Sequence, residues 1–316
     1  MVFCSKCGKE SSSNSIYCNE CGHVLMDDEY LNLNKLETFN EIANESNLKI
    51  LENNQLSTLE YNVILKNIEN MAREYLNDLE HEFKSRSTLG KIKLLTLSYA
   101  DVSYKSKGAE LGSYSYNRIQ VDDRLNDSDV ISTLIHELSH HLFDEIFEQI
   151  LMYVWEIEKS DALEAYVSFT LGTNAVFILM NEYCAHSVEG RFIPHGYQNY
   201  GSFNKILTEE FDLKKDSEAI FFALILGNSI ADDIIHILEN FIDDNLRREI
   251  RQVYKDDYSA PPSYDQILLE KKEILDDETK VSQMHMMLMS GIALAKNKES
   301  AEVFSTIKDG FISNNS

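Results

Sequence analysis

The apolar and polar positions along most of the chain repeat with the spacing of an α-helix. Residues 55–83 carry apolar side chains near one face, which predicts a helical segment. These side chains are Leu59, Ile64, Ile68, Met71 and Tyr75. Residues 206–316 also follow a helical pattern. Within them, acidic residues interrupt the apolar run 219–242, which favours a buried core helix over a membrane span.

Two stretches do not follow the helical spacing of apolar residues. KIKLLTLSYA (91–100) and SYSYNRIQVDD (113–123) are predicted to be β-strands. Helical spacing returns from Val130 to Ile146, behind three residues (126–128) that can each cap a helix start. A second amphipathic helix is predicted over residues 174–192. The pattern therefore predicts an α+β fold that is mostly helical, with a small β-sheet.

Composition supports this prediction and narrows the function. Only 12 Gly and 3 Pro occur among 316 residues, which favours helices over long irregular segments. The 29 basic and 53 acidic side chains give a formal net charge of −24, so a nucleic-acid partner is not expected. The first residues have no apolar core of the kind that a signal peptide needs. We therefore expect a cytoplasmic protein with no membrane partner.

Four of the five cysteines form two closely spaced pairs, Cys4 with Cys7 and Cys18 with Cys21. In a reducing compartment, two CxxC pairs are typical of a tetrahedral zinc site with thiolate ligands. The stretch FCSKCGKES…YCNECGHVL (residues 3–25) resembles the small N-terminal zinc ribbons of many bacterial proteins. The resemblance covers about the first 25 residues and implies a structural zinc ion and a possible protein partner.

HELSH (136–140) is the motif that carries the most specific chemistry. His136 and His140 are four residues apart on a predicted helix, so both imidazoles can reach one metal ion. Glu137 points elsewhere and can take a proton from a zinc-activated water, which is the HExxH logic of zinc peptidases. His141 is turned away from this pair and is expected to orient a ligand or to play a structural role.

A catalytic zinc site of this kind needs a third protein ligand and an open position. The extended motif with a third histidine is absent, so a downstream carboxylate is expected. Glu182 is preferred because the small Ala185 one turn on allows close helix packing, and Glu164 remains the alternative. His186 lies on the same face as Glu182 and is a candidate for catalysis, ligand orientation or metal binding.

Residues 182–186 resemble the E-x-x-A-[DH] element that carries the third ligand in several gluzincin peptidases. Residues 90–205 as a whole resemble the catalytic core of a zincin metallopeptidase of the gluzincin type. The resemblance implies that residues 111–121 form an edge strand that pairs with an extended substrate. It also leaves Glu189 as a residue that orients a ligand. The loop 189–203 offers oxyanion candidates or simple packing residues, namely Arg191, His195, Tyr197 and Tyr200.

These observations divide the chain into a zinc ribbon (1–25), a helical connecting segment (26–88), a zincin-like core (89–205) and a helical C-terminal region (206–316). The expected function is a zinc-dependent endopeptidase with one catalytic and one structural Zn²⁺, acting on a protein or peptide substrate. Two alternatives remain open: a non-catalytic regulatory or binding protein with the same fold, and a zinc hydrolase of non-peptide amides.

Overall fold

The computed structural model describes residues 2–3, 9–11, 42, 44–106, 108, 110–262, 274–294 and 298–315. Its strands are β1 Val2–Phe3, β2 Glu10–Ser11, β3 Asp101–Lys105, β4 Gly112–Ser115 and β5 Arg118–Asp122. Its helices are α1 Glu45–Asn53, α2 Thr58–Asp78, α3 Glu80–Ser85, α4 Thr88–Leu97, α5 Asp127–Trp155, α6 Asp161–Gly172, α7 Ala175–Phe192, α8 Gly201–Glu210, α9 Ser217–Glu239, α10 Asp244–Asp257, α11 Asp277–Leu294 and α12 Lys298–Asn315. The prediction of a mostly helical α+β fold is confirmed.

A three-stranded sheet lies beside α5, in the order β3-β5-β4. Strand β3 runs parallel to β5, and β4 pairs with β5 in the antiparallel direction. Strand β4 is therefore an edge strand of this sheet and packs against α5. Strands β1 and β2 are short and pair with each other in the antiparallel direction, in the segment predicted to be a zinc ribbon.

Both strand predictions need correction. Residues 88–97 form helix α4, because the Ser87 side chain accepts the Gly90 N–H at the helix start and one face buries Ile92 and Leu95. The strand begins only at Asp101. Residues 113–123 are a hairpin, since Tyr116 and Asn117 both have positive φ (52° and 57°) and form a two-residue turn. Of the two strands of this hairpin, β4 lies at an edge of the sheet and β5 is the central strand.

Helix α5 begins where the sequence predicted, with the Asn126 side chain accepting the Asp129 N–H. It continues through 29 residues and is buried on several sides. Helix α7 begins after Asn174, whose side chain accepts the Val176 N–H, and it packs against α5. The two helices that carry the predicted ligands are therefore neighbours in the core.

Helix α9 supports α7 from the other side. A β-carbon on Gly227 would lie only 2.7 Å from the Met180 carbonyl oxygen, so glycine is what allows the two helices to approach. By length and apolar composition α9 could cross a membrane, as could α6 and α7 if counted as one span bent by 98°. In this fold, 56% of the apolar window of α9 is buried.

The predicted apolar face of residues 55–83 is only partly right. Ile64 and Ile68 are buried, but Leu59, Met71 and Tyr75 are exposed. The buried face turns instead towards Tyr61, whose hydroxyl donates to Asp233 of α9 at 2.7 Å. Helices α2, α11 and α12 contribute buried residues to the same hydrophobic cluster as α5 and α7.

Candidate metal centre

Helix α5 presents two imidazoles towards α7. His136 and His140 are one turn apart, and their Nε2 atoms lie 3.2 Å from each other. Both side chains are about 12–13% exposed, so they are largely withdrawn from water. Two ring nitrogens this close repel each other unless a proton or a metal ion lies between them.

The opposite ring nitrogens have partners that set the tautomers. His136 Nδ1 lies 3.3 Å from Glu189 Oε2, and His140 Nδ1 lies 2.9 Å from Asn181 Oδ1. A carboxylate and an amide oxygen accept hydrogen bonds, so each Nδ1 donates its proton. Each Nε2 can then present a lone pair to the space between α5 and α7. Ring orientation by such partners is the usual support of histidine metal ligands.

Glu182 supplies a carboxylate at the same point. Its Oε2 lies 3.6 Å from His136 Nε2, and its Oε1 lies 3.8 Å from His140 Nε2. Burial would raise the pKa of Glu182, but the hydrogen bond with His136 and the electrostatic effect of the neighbouring imidazoles lower it strongly. The side chain is therefore an anion in a largely buried position.

The three separations fit zinc. Ligand atoms about 2.0–2.2 Å from a tetrahedral Zn²⁺ lie about 3.3–3.6 Å from one another. The separations among His136, His140 and Glu182 are 3.2, 3.6 and 3.8 Å, the last two to different oxygens of Glu182, so they lie within about 0.2 Å of this range. The donor set, two imidazole nitrogens and one carboxylate, is one that zinc accepts in hydrolytic sites.

A proton competes for the same position. Burial alone would lower the pKa of His136, but hydrogen bonds with Glu182 and Glu189 raise it well above its ordinary value. Burial lowers the pKa of His140 to about 4, so this imidazole is neutral at pH 7. His136 is thus charged and His140 neutral, and both face the Glu182 carboxylate. A divalent cation that binds here would displace the extra proton of His136.

His186 lies beside the three ligands. Its Nε2 is 3.6 Å from Glu182 Oε2, and the ligand atoms of His136, Glu182 and His186 all lie within 4.8 Å of one another. Both of its nitrogens have protein partners, Glu189 Oε2 at 3.2 Å and Ser202 Oγ at 3.0 Å. Ser202 donates in turn to Glu182 Oε2 at 2.9 Å. These contacts make His186 a support for Glu182.

Glu137 faces the edge strand. A β-carbon on Gly112 of β4 would lie 2.9 Å from Glu137 Oε1 and 2.3 Å from a methyl carbon of Thr133. Glycine therefore allows β4 to pass directly against this side of α5. Glu137 is 7% exposed and lines the same cavity as the two histidines and Glu182. The predicted proton acceptor thus lies between the ligand cluster and the exposed edge of the sheet.

The cavity that contains these groups has a volume of about 720 Å³. Elements β4, α5, α6, α7, α8 and α12 contribute to its walls. Strand β4 runs in the same direction as α5, because Gly112 approaches Thr133 whereas Tyr114 contacts His141 further along the helix. The cavity follows this direction as a cleft, with the ligand cluster between its ends.

The remaining predicted residues lie elsewhere. Glu164, the alternative third ligand, accepts from Asn117 Nδ2 at 2.6 Å and pairs with Lys159, and it does not line the cleft. His141 contacts the Tyr114 hydroxyl at 3.3 Å and is buried behind the cleft. The predicted structural role of His141 agrees with this position.

The loop after α7 contributes unevenly to the site. Tyr197 lines the cleft, and the Tyr200 ring packs on His186 with a centroid distance of 5.0 Å. Arg191 pairs with Glu239 on the outer surface, and His195 is exposed. The packing interpretation of this loop therefore fits Tyr200 and also Tyr197, whose ring packs against Tyr254 with a centroid distance of 4.8 Å although it also lines the cleft.

Two residues that the sequence did not single out complete the site, Asn181 and Ser202. Asn181 directly precedes Glu182, and Ser202 lies in the first turn of α8. Neither belongs to a recognisable motif, and their roles follow only from helix packing. The four ribbon cysteines, Cys4, Cys7, Cys18 and Cys21, lie outside the described residues.

Comparison of the chain with protein-family models, with curated proteins and with solved structures finds no match. The geometry of the cleft therefore carries the functional argument by itself.

Proposed function

We propose that the protein is a zinc-dependent endopeptidase with a zincin-like core, in which His136, His140 and Glu182 hold the catalytic zinc ion. The observation that carries this proposal is the convergence of two Nε2 lone pairs and one buried carboxylate on a single point. Hydrogen bonds from the far side of each imidazole support the same arrangement.

A zinc ion at this point would lower the pKa of a water molecule to about 7 and polarise a substrate carbonyl group. Glu137 takes the proton of the attacking water as its oxygen bonds to the carbonyl carbon. Glu137 then gives this proton to the amide nitrogen as the C–N bond breaks. The products are a carboxylic acid and an amine, with no co-reactant other than water.

His186 acts on this reaction through Glu182. The Ser202 hydroxyl connects its Nε2 to Glu182 Oε2, so the carboxylate is held in the orientation that the metal needs. Tyr197 lines the cleft, and we assign its hydroxyl as the donor to the oxygen that gains negative charge.

Strand β4 supports a peptide as the substrate. It is the outer strand of the sheet and runs alongside α5, so an extended chain can add to its edge through main-chain hydrogen bonds. No lysine or arginine occurs among the described residues that line the cleft. A terminal carboxylate therefore has no lysine or arginine partner among these residues, which disfavours cleavage directed by the C-terminus of a peptide.

The four cysteines complete the proposal with a second, structural zinc ion in an N-terminal ribbon that can contact a protein partner. The absence of a nucleic-acid partner and the cytoplasmic location remain predictions from the sequence.

The decisive measurement is the zinc content of the purified protein. We expect two zinc ions per chain, one of which is lost when Cys4→Ser and Cys7→Ser are combined. Glu182→Ala should weaken the other. Glu137→Gln should keep both ions and abolish peptide cleavage. This result would show that Glu137 is needed for the reaction and not for metal binding.

A different result would favour the non-catalytic alternative. If only one zinc ion is present and it is lost with the cysteines, the cleft does not hold zinc. If both ions are present but neither peptides nor unfolded proteins are cleaved by the unmodified chain, the site binds metal without this reaction.

A further inference from the structure

One buried carboxyl group in the cleft has no role in holding the metal. Asp144 follows His140 by one turn of α5, which places it about 6 Å further along the helix axis. It is 7% exposed and lines the cavity. Burial raises the pKa of Asp144 to about 7, although a hydrogen bond from Tyr114 opposes this effect.

No ion pair with Asp144 occurs among the described residues. Lys159 is the nearest candidate, but its ammonium pairs with three glutamates of the neighbouring network, at 2.7–3.3 Å. These are Glu145, Glu148 and Glu164. The described lining of the cleft also contains no lysine or arginine, whereas it contains six carboxyl groups. A buried carboxylate is costly unless a cation compensates it.

The cleft that contains Asp144 also has apolar walls that suit an aliphatic stem. Leu171 and Gly172 at the end of α6 and Ile307 of α12 line the same cavity, together with Tyr116 at the tip of the β4–β5 hairpin. The Tyr116 ring is held against Phe311 of α12, edge to face, with a centroid distance of 5.1 Å.

We propose that this inner end of the cleft is a specificity pocket for a lysine or arginine side chain of the substrate, with Asp144 as its anionic partner. The inference rests on the proposed function and adds the substrate class to it. The apolar walls contact the methylene stem, and the cationic group reaches the carboxylate that lacks a cation. A neutral apolar side chain would fill the walls but leave Asp144 uncompensated.

The negative charge of the whole cleft could also attract cationic peptides, and the test has to distinguish this general attraction from a specific pocket at Asp144. Glu110 also lines the cleft, but near Gly112, towards the beginning of α5. If general acidity attracts cationic peptides, loss of either carboxylate weakens their binding equally. If the pocket is specific, only the loss of Asp144 removes the discrimination between lysine and an uncharged side chain of equal length.

The experiment measures peptide binding to the zinc-loaded Glu137→Gln protein by fluorescence anisotropy. Paired peptides, blocked at both ends, carry either lysine or norleucine at one position at a time in an alanine background. We expect one position at which lysine binds about tenfold more tightly than norleucine. Adding Asp144→Asn should abolish this difference, and adding Glu110→Gln should preserve it.

Ile307→Ala provides a second variant that does not depend on the charge. It removes an apolar side chain that lines the cleft, so it should weaken the lysine and norleucine peptides together at the same position. Equal binding of lysine and norleucine at every position would overturn the pocket, as would equal effects of Asp144→Asn and Glu110→Gln. Failure of all peptides to bind would also overturn it.

Cleavage by the chain with Glu137 intact separates this inference from the proposed function. Cleavage without any preference for a basic residue overturns the pocket and leaves the peptidase proposal standing. Asp144-dependent binding of lysine without cleavage supports the pocket and overturns the peptidase proposal.

Discussion

Glu189 offers the sharpest test of how the protein prepares its metal site. This buried carboxylate, 5% exposed, accepts from His136 Nδ1 at 3.3 Å and from His186 Nδ1 at 3.2 Å. Burial would raise the pKa of Glu189, but the two histidines lower it, so it is an anion at pH 7. Glu189→Gln keeps the shape and one acceptor oxygen but removes the charge.

The expected loss follows from these contacts. A hydrogen bond to a charged group contributes about 1.5–3 kcal/mol, and a neutral one about 0.5–1.5 kcal/mol. Only the bond to His136 bears directly on a ligand, so the loss should be about 1–2 kcal/mol. This corresponds to a zinc affinity about 5–30-fold weaker, which overlaps the lower part of the roughly 10–100-fold range typical of residues that orient metal ligands.

Competition with a fluorescent zinc chelator measures this affinity. The assay uses protein that also carries Cys4→Ser and Cys7→Ser, so that the ribbon does not contribute zinc. Glu182→Gln should lose more affinity than Glu189→Gln, and Glu209→Gln on the exposed surface of α8 should lose none. Wild-type zinc affinity in Glu189→Gln would refute the assigned role of Glu189.

Two further predictions concern stability. Gly112→Ala should cost about 1–3 kcal/mol by denaturant unfolding, because its β-carbon would lie 2.3 Å from Thr133; Gly172→Ala should cost much less. Burial raises the pKa of Glu148 to about 8, so the native state holds a proton that the unfolded state has released above about pH 4.5. The free energy of unfolding should therefore decrease as the pH rises from about 4.5 to 8. Glu148→Gln should reduce this decrease. Glu145→Gln should destabilise the protein at pH 7, because Glu145 pairs with Lys159 as an anion. A pH profile unchanged by Glu148→Gln would contradict the second prediction.

The chemistry of α5 could be predicted because it depends on local spacing. Residues four apart on a helix lie on one face whatever surrounds them, so HELSH places two imidazoles side by side before any packing is known. Capping is equally local, and Asn126 begins the helix as predicted. Glu182 depended on a further assumption, that Ala185 would let α7 approach α5.

The strand at 91–100 was predicted wrongly because a short alternating apolar run fits either a helix or a strand. The Ser87 cap, which decides for the helix, precedes the run by several residues. The face of α2 was misassigned for a different reason. The buried residues Tyr61, Ile64, Ile68, Ala72 and Leu76 recur every three or four positions, whereas Leu59 and Met71 lie beside this stripe. The pattern within α2 therefore contained the buried face, and the prediction selected the wrong apolar residues.

The hydrogen-bond partners of the candidate metal ligands could not be predicted from the sequence, because their contacts depend on how the helices pack. Asn181 and Ser202 are ordinary polar residues until α7 and α8 place them beside His140 and Glu182. Glu189 was expected to orient a ligand, but its contact with both His136 and His186 depends on the packing of α5 against α7.

Zinc should also stabilise the fold. This effect tests whether the cleft binds a metal ion independently of whether the protein cleaves peptides. Three imidazoles and the carboxylates of Glu182 and Glu189 lie in one buried cluster between α5 and α7. A ligand that binds only the native state adds about 2.7 kcal/mol at a concentration of 100 Kd. Thermal unfolding of protein lacking the ribbon cysteine pair should therefore shift upwards with zinc. Glu137→Gln should keep this shift because it leaves the ligands intact, and Glu182→Gln should lose most of it. A shift that is lost with Glu137→Gln as well would mean that Glu137 holds the metal and is not the base. In that case the assignment of roles within HELSH would be wrong even if the protein cleaves peptides.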